Sequence, residues 1–372
     1  MKTSRATARA ETVGSLLRPA ELLEAKRPSQ AGAASPERIR QLEDAAVLDA
    51  VQLQESVGLD VITDGEMRRA GWSFTSQVLD GFEPRPVAPG LTWRGGGEDA
   101  PPLFSRGSGS GYTTIVRPLA VRQDVTEEYR FLVQHAHTRT KFCLPAPSYH
   151  RRNWYREHSS DAYPTAEAFL TAVRDYEREV VGRLVELGCD YVQLDAPNYG
   201  SLCDAEHRRW LEDQGHDLEA ELAFDAALDS SVFEGFPGIT RALHVCRGNA
   251  AGRWHSTGGY AVIAEQLFPK LDVDVLLLEY DSDRAGDFAP LTHIRPGTVA
   301  VLGLVTTKTG SLEDEGSVEA RIREAALIKP LEELALSPQC GFASVDMGNP
   351  VSPEQQRAKL ELVSRLAHRV WA

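Results

Sequence analysis

Residues 164–195 read PTAEAFLTAVRDYEREVVGRLVELGCDYVQLD and join a helical pattern directly to a strand pattern. In Pro164–Leu187, apolar residues recur three and four positions apart, Thr165 is a suitable N-cap, and Gly188 is a suitable stop. Cys189–Asp195 is a short apolar run that ends in an acidic residue, as a buried strand of a parallel sheet does. We therefore predict a helix followed by a buried strand.

The same alternation of strand and helix continues through the chain. The other strand-like runs are Glu11–Leu17, Leu59–Thr63, Thr140–Pro145, Thr240–Cys246, Val273–Tyr280, Thr298–Val305 and Leu334–Gly341. The other helical patterns are Ser35–Val57, Asp204–Leu228, Gly258–Leu271, Val318–Glu333 and Ser352–Val370. Eight strands with helical crossovers predict an α/β fold of the (β/α)8 TIM barrel type, with residues 1–372 as a single domain. No Gly-rich phosphate turn follows an early strand, which argues against a doubly wound sheet.

One Pro/Gly-rich segment interrupts this pattern. Phe82–Val125 contains the glycine runs at 95–97 and 107–111, neither of which joins a strand to a helix. We interpret residues 82–125 as an insertion near the barrel mouth that carries a β-hairpin.

The composition predicts a reduced, cytoplasmic protein. A formal net charge of −14 argues against a nucleic-acid or anionic-membrane surface. Five cysteines in 372 residues do not make a disulfide framework, so spaced Cys and His residues are expected to be ligands or catalysts. Met1–Glu11 has no apolar signal core, and no run approaches the roughly 18 apolar residues of a membrane span.

A candidate zinc site is formed by four residues at predicted strand ends. His244 and Cys246 are two apart on one strand and therefore share a face. Glu279 ends the next strand and Cys340 the last one, and such ends converge at a barrel mouth. One nitrogen, one oxygen and two sulfur ligands form the set that zinc prefers, and a buried Glu279 needs a cation nearby. Read alone, His244 and Cys246 would be a buried structural pair.

Acidic residues at two other strand ends form a second constellation. Glu66 follows the second strand in Asp64-Gly65-Glu66, and Asp195 ends the fourth. Carboxylates beside a metal can bind a substrate ammonium group or move protons. The alternative is that Asp64 and Asp195 cap the following segments. We adopt this interpretation for Asp64 and assign a functional role to Glu66 and Asp195.

Six motifs together resemble the C-terminal catalytic barrel of cobalamin-independent methionine synthase, in order and over nearly the whole chain. They are Val13–Pro19, Asp64-Gly65-Glu66, Gln193-Leu194-Asp195, His244-x-Cys246, Leu278-Glu279 and Ser337–Gly341. The chain is most similar to single-barrel relatives, in which the His244-x-Cys246 motif continues as Cys246-Arg247-Gly248-Asn249.

The resemblance implies a Zn²⁺ site of His244, Cys246, Glu279 and Cys340. It also implies that Ser15 and Glu66 hold the amino-acid part of homocysteine and that Asp195 meets its ammonium group. The implied reaction transfers a methyl group from a methylated folate to a zinc-bound thiol, giving methionine. The candidate contacts for the methyl donor or an anion are Arg18, Tyr149 and Trp154.

The chain departs from the full-length enzyme of that family at two places. Val305-Thr306-Thr307-Lys308-Thr309 stands where the family has a histidine that relays protons, and the pterin-stacking aromatic near Pro145–Tyr149 is not matched in place. These differences affect the donor half of the reaction and leave thiol activation intact.

Two other functions are consistent with the same zinc ligands. One is alkyl transfer to another thiol, as in epoxyalkane:coenzyme M transferase, where Arg18, Arg68, Arg69 or Arg247 would bind the sulfonate. The acidic pair argues against it. The other is a non-catalytic barrel with a structural metal, since such sites also have four protein ligands.

Overall fold

Parallel strands separated by helices form the centre of the protein, whose computed structural model describes residues 8–27, 34–84, 91–95 and 113–372. The strands are β1 Val61–Ile62, β2 Leu79–Pro84, β3 Arg94–Gly95, β4 Thr113–Val121, β5 Arg139–Thr140, β6 Phe142–Pro145, β7 Tyr191–Asp195, β8 Thr240–Val245, β9 Arg253–Trp254, β10 Val275–Glu279, β11 Val299–Val305 and β12 Leu334–Pro338. The α-helices are α1 Ala20–Lys26, α2 Pro36–Ser56, α3 Thr75–Val78, α4 Thr126–His135, α5 Arg156–Ser159, α6 Ala166–Glu186, α7 Pro197–Ser201, α8 Ala205–Asp213, α9 Leu218–Ser231, α10 Ala261–Leu267, α11 Glu315–Ala326 and α12 Pro353–Val370. Short 3-10 helices cover Pro147–Asn153, Phe268–Lys270, Asp283–Ala285, Ala289–His293 and Leu331–Glu333.

The main sheet has six parallel strands in the order β12-β11-β10-β8-β7-β6, and β1 and β5 form a separate parallel pair. This confirms the predicted α/β class with parallel strands. The closed eight-stranded TIM barrel is not present as one continuous sheet among the described residues, so that part of the prediction is not confirmed.

The first predicted strand, Glu11–Leu17, is largely absent. Ala10 makes an isolated parallel bridge to Leu336, and Glu11 makes one to Val61. Beyond them the backbone bonds to loops: the Leu16 N–H donates to the Gly65 carbonyl (3.0 Å) and the Ser15 carbonyl accepts from the Phe342 N–H (2.8 Å). The segment therefore joins two loops near the strand ends instead of continuing a ladder.

Both faces of the main sheet are buried. On β10, Leu276 and Leu278 belong to a large apolar cluster shared with the helices, whereas Val275 and Leu277 belong to a smaller cluster on the other face. Since successive strand residues point to opposite faces, this explains why β10 is an uninterrupted apolar run until Glu279.

The predicted helices are present, with several changes at their ends. α6 follows the predicted N-cap Thr165, and α2 and α12 follow Ser35 and Ser352, the first residues of their predicted helices. Each of these three side chains accepts a backbone N–H. The predicted helix Asp204–Leu228 is broken into α8 and α9, because Gly215 between them has φ +86°. Such a backbone conformation ends a right-handed helix.

The described part of the insertion has the antiparallel pairing expected of a hairpin, between β2 and β4. Residues 85–90 and 96–112, with most of the glycine runs, lie outside the described residues. No helix in the described part of the chain is long and apolar enough to cross a membrane.

Candidate metal and substrate site

The four side chains predicted as zinc ligands come together at the carboxyl ends of neighbouring strands. His244 is the second-last residue of β8, and Cys246 directly follows that strand. Glu279 is the last residue of β10, and Cys340 lies two residues beyond the end of β12. One candidate ligand atom from each lies within 4.8 Å of all the others, and the Sγ atoms of Cys246 and Cys340 are 3.6 Å apart. Cys246 is partly buried and the other three are buried.

His244 is oriented so that one ring nitrogen is available to a metal. Its Nδ1 atom lies 3.2 Å from Oδ1 of Asp195, a pairing typical of imidazoles that ligate metals. Its Nε2 atom is buried and has no hydrogen-bond partner among the described residues, which is costly for a polar atom. Burial would lower the pKa of His244, but Asp195 and Cys340 outweigh it and raise this pKa. The donor set and the unpartnered nitrogen both fit a zinc ion.

Glu279 is held as a carboxylate by cationic groups and a backbone donor. The Arg247 N–H donates to Oε1 (2.6 Å), while Arg284 Nη2 and Lys308 Nζ lie 3.3 and 3.4 Å from Oε2. Burial alone would raise the pKa of Glu279, but Lys308, Arg284 and Arg247 outweigh burial and hold the pKa at about 2. Glu279 is therefore in the charged form that a metal ligand requires.

The sulfur atoms of the two cysteines lie within hydrogen-bonding distance of each other, at 3.6 Å. The hydrogen bond between them lowers the pKa of Cys340 to about 7 even though burial opposes this, and the same bond raises the pKa of Cys246. The Gly248 N–H also points at Cys246 Sγ (3.4 Å), and Ser344 Oγ lies 3.6 Å from Cys340 Sγ. The Gly248 N–H and the Ser344 hydroxyl are therefore placed to donate hydrogen bonds to thiolate sulfur atoms.

The predicted substrate residues Glu66 and Asp195 lie close to the metal ligands. Together with Cys143 they place one candidate ligand atom each within 4.8 Å of one another. Burial raises the pKa of Glu66 to about 7, with Arg69 (3.7 Å) opposing the rise and Asp195 adding to it. Glu66 Oε2 has no hydrogen-bond partner among the described residues. This carboxylate can accept from a ligand's ammonium group.

A large cavity connects these residues. Its volume is about 1530 Å³, and its wall includes the predicted residues Ser15, Arg18, Glu66, Tyr149, Trp154, Asp195, His244, Cys246 and Cys340. Ser15 is 3% exposed, and a Cβ atom built on Gly341 would lie 2.1 Å from its hydroxyl oxygen. A glycine is therefore required beside the Cys340 ligand for Ser15 to occupy this position.

The three predicted donor or anion contacts lie in the cavity wall, each with protein partners. The Arg18 guanidinium donates to the carbonyls of Ala343 and Glu66, at 2.9 and 3.0 Å. Trp154 donates its indole N–H to the Tyr163 carbonyl (3.0 Å). The ring of Tyr149 packs against Trp72 with 4.6 Å between ring centroids. Arg18 thus fixes two loops of the site, and the aromatic rings form a separate part of the wall.

The four arginines considered for a sulfonate are all bonded to protein groups. Arg68 pairs with Asp44, Arg69 with Glu128 (2.8 Å), and Arg247 is fully buried with its guanidinium bonded to backbone carbonyls. Arg18 donates to carbonyls as described above. Arg18 Nε and Arg247 Nε and Nη1 are buried without a hydrogen-bond partner among the described residues, so the argument against a sulfonate rests on the acidic pair.

Several site residues were missed by sequence reasoning. Cys143 is buried and lies beside Glu66 and Asp195. Trp72 lines the cavity, and Lys308 and Arg284 contact Glu279. A signal was available for Lys308, since it follows the seventh predicted strand, at whose end cavity residues are expected. Trp72 and Arg284 follow no comparable pattern.

Comparisons with known proteins give relatives over the full length of the chain. Two uncharacterized proteins of Bacillus subtilis, YxjH and YxjG, are each 34% identical to it, over 100% and 98% of this chain and 96% and 94% of theirs. The structure of a candidate vitamin B12-independent methionine synthase from Listeria monocytogenes matches with a TM-score of 0.74 and 30% identity, covering 100% of both chains. That of a B12-independent methionine synthase from Shewanella sp. W3-18-1, in complex with selenomethionine, matches with a TM-score of 0.71 and 21% identity over 98% of both chains. No family model matches the sequence.

The fold, the His-Cys-Glu-Cys cluster and these relatives define a methyltransferase of the methionine synthase type. The chain belongs to the vitamin B12-independent methionine synthase family.

Proposed function

We propose that this protein is a zinc-dependent methyltransferase that transfers a methyl group to homocysteine and so forms methionine. The donor is 5-methyltetrahydrofolate or a related methyl compound. The observation that carries the proposal is the meeting of His244, Cys246, Glu279 and Cys340 within 4.8 Å. His244, Cys246 and Cys340 lie in the wall of a cavity that also includes Glu66 and Asp195.

The four clustered residues would hold the zinc ion. A zinc ion bound there supplies a lowered thiol pKa, so that the substrate sulfur is a nucleophile at neutral pH. The protein's own part is to keep the ligands in their binding forms: Asp195 leaves Nε2 of His244 for the metal, and Arg284 and Lys308 keep Glu279 ionised.

Glu66, Asp195 and Ser15 would bind the amino-acid part of homocysteine. Glu66 and Asp195 bring two carboxylates to one end of the cavity, where an ammonium group can neutralise them. The Ser15 hydroxyl at the same wall suits the substrate carboxylate as a hydrogen-bond donor. Binding both ends of the amino acid would fix the sulfur beside the cysteine ligands.

The size of the cavity supports a second, larger substrate. At about 1530 Å³ it exceeds the roughly 300–1,000 Å³ typical of a site for one small molecule. Tyr149, Trp154 and Trp72 give its wall aromatic surface that suits a flat donor such as a pterin. Holding the methyl donor and the thiol in one cavity aligns them for in-line transfer.

We also propose that residues 1–372 form a single domain in which eight strands close into a barrel, with the segment around Ala10 as the first strand. The bridges of Ala10 to Leu336 and of Glu11 to Val61 support this, because they lie between β12 and β1. The Lys141 N–H also donates to the Ile62 carbonyl at 3.0 Å, which continues the β1–β5 ladder towards β6.

The test is an assay of zinc-loaded protein with paired thiols and alkyl donors, with products identified by mass spectrometry. Homocysteine with 5-methyltetrahydrofolate, as the mono- and triglutamate, is compared with coenzyme M and epoxypropane. We expect methionine from the first pair. Cys340→Ser should abolish it, whereas Cys189→Ser, a change at a buried cysteine outside the cluster, should not. Alkylated coenzyme M without methionine would contradict the proposal.

A further inference from the structure

The loop that follows β8 contains three residues, Arg247-Gly248-Asn249, that the proposed reaction does not use. We propose that this tripeptide is a positioning segment that assembles the zinc site before the metal arrives, each residue securing a different ligand. The inference rests on the proposed zinc site and assigns its preassembly to residues that do not themselves ligate the metal.

Arg247 secures Glu279. Its backbone N–H donates to Oε1 of Glu279 at 2.6 Å. Its side chain is fully buried, donates to the carbonyls of Gly258 and Arg284, and lies over the ring of Tyr260 with 5.3 Å to the centroid. The guanidinium thus anchors the backbone from which the N–H points at Glu279.

Gly248 secures the sulfur of Cys246. Its N–H points at Cys246 Sγ at 3.4 Å, a direction that requires the backbone to turn with φ +95°. A Cβ atom at this position would lie 2.4 Å from the ring of His255. Both the conformation and the lack of space exclude a side chain here.

Asn249 secures the loop that carries Cys340. Its Nδ2 atom donates to the Gly341 carbonyl at 2.7 Å and to Ser344 Oγ at 2.9 Å, and that hydroxyl lies 3.6 Å from Cys340 Sγ. Its Oδ1 accepts from Asn349 Nδ2 at 2.9 Å. Asn249 therefore joins the two loops that supply the cysteine ligands, although they are 94 residues apart in sequence.

This arrangement lowers the entropic cost of metal binding. If the loops were free, binding would have to order both of them before two sulfurs could reach one ion. With Asn249 in place, the sulfur atoms already lie 3.6 Å apart. Groups that orient metal ligands typically contribute about 10–100-fold to metal affinity.

Asn249→Ala tests the inference, with Gln54→Ala as a matched control. Gln54 is also a buried amide with three hydrogen bonds, to Ala50 and to both backbone groups of Thr63, but it contacts none of the metal ligands. Zinc affinity is measured by competition with a chromogenic chelator, and the cobalt-substituted proteins are compared by their thiolate-to-cobalt absorption. We expect Asn249→Ala to bind zinc about 10–100-fold more weakly with an altered cobalt spectrum, and Gln54→Ala to match the wild type in both.

The outcomes separate this inference from the proposed function. Failure of the wild-type protein to bind zinc would overturn both. Tight binding by the wild type together with unchanged affinity and spectrum in Asn249→Ala would overturn the inference alone. Should that variant not fold, Asn349→Ala removes the donor to Asn249 Oδ1 together with the side-chain hydrogen bonds to Gly252 and Thr307, and leaves Asn249 itself in place. The inference then requires weaker zinc binding than in Gln54→Ala; equal binding would overturn it.

Discussion

Asp195 contacts the predicted metal ligand His244 and belongs to the predicted substrate site, which makes it the most informative single residue. Its Oδ1 accepts from Gln193 Nε2 at 2.8 Å and lies 3.2 Å from His244 Nδ1. Asp195→Asn removes the charge that fixes the imidazole and meets an ammonium group. We expect zinc affinity to fall by about 10–100-fold and homocysteine binding to the zinc-loaded protein to weaken. Isothermal titration with each ligand measures both effects, and unchanged values would contradict the role given to Asp195.

Glu66 predicts a pH dependence of amino-acid binding. Because burial raises its pKa to about 7, the carboxylate that attracts an ammonium group forms only as the pH rises through this value. Methionine is the suitable probe, since its thioether has no titrating proton. We expect methionine to bind several-fold more tightly at pH 8 than at pH 6, measured by isothermal titration. In Glu66→Gln the affinity should be lower and independent of pH; a pH-independent wild type would exclude this role.

At the residue scale, the sequence predicted a cluster of four side chains from their positions at strand ends. His244, Cys246, Glu279 and Cys340 were predicted from that rule and lie together. What the sequence did not reveal was their surroundings. A cation was predicted to meet Glu279, and the structure also places Arg284 and Lys308 there. Arg284 and Lys308 lie in segments that follow the strands. The spacing of apolar residues does not predict the course of such segments.

At the scale of single elements, α6 carries a buried carboxyl group that is a cost to the fold. Both oxygens of Glu177 are buried without a partner among the described residues, and burial, with Asp229 adding to it, raises the pKa of Glu177 well above its usual value. The folded protein therefore holds this proton more tightly than the unfolded chain does. Its stability falls as the pH rises from the unfolded pKa of about 4.3 towards the folded one.

Glu177→Gln should therefore stabilise the protein at pH 7–8 by about 1–3 kcal/mol. The gain should vanish below about pH 4, where both states of the wild type are protonated. Urea unfolding at the two pH values measures it, with Glu179→Gln, an exposed change on the same helix, as the control. A loss of stability at neutral pH would mean that Glu177 has a stabilising partner.

The elements also show where local sequence patterns succeed. The starts of the helices at Thr165 and Ser352 could be predicted because an N-cap hydroxyl accepts a hydrogen bond from a backbone N–H only three residues further along the chain. Both of these hydrogen bonds are present. The break between α8 and α9 was missed because the apolar spacing continues across Gly215. α4 was also missed, since Thr126–His135 follows the insertion and is short.

At the scale of the whole molecule, a buried ion pair joins Glu11, in the first predicted strand, to Lys141, in the third. Lys141 Nζ lies 2.6 Å from Glu11 Oε2 and 2.7 Å from Gln193 Oε1, and Tyr191 donates to the same Glu11 carboxylate. Removing one partner of a buried pair leaves an uncompensated charge. Lys141→Met should destabilise the fold by about 3–5 kcal/mol, as measured by urea unfolding.

The double variant Glu11→Leu, Lys141→Met provides the control for that prediction. It removes both charges, so we expect it to recover much of the stability lost in Lys141→Met. If the single variant were as stable as the wild type, the pair would not hold the first segment against the sheet.

The parallel α/β class was predictable because apolar strand runs alternate with amphipathic helices along the whole chain. The pairing of the first segment was not predictable. Glu11–Leu17 has the composition of a strand, but its backbone forms hydrogen bonds with the loops at Gly65 and Phe342. Such contacts are decided by tertiary packing, not by the pattern of one segment.

The central claim is that four distant side chains bind one zinc ion with room for an incoming sulfur. Zinc K-edge X-ray absorption of the zinc-loaded protein, recorded with and without homocysteine, tests it most directly. The account predicts two sulfur neighbours at about 2.3 Å without the thiol and three with it. A shell that does not change on adding homocysteine, or one that lacks two sulfurs, would contradict it.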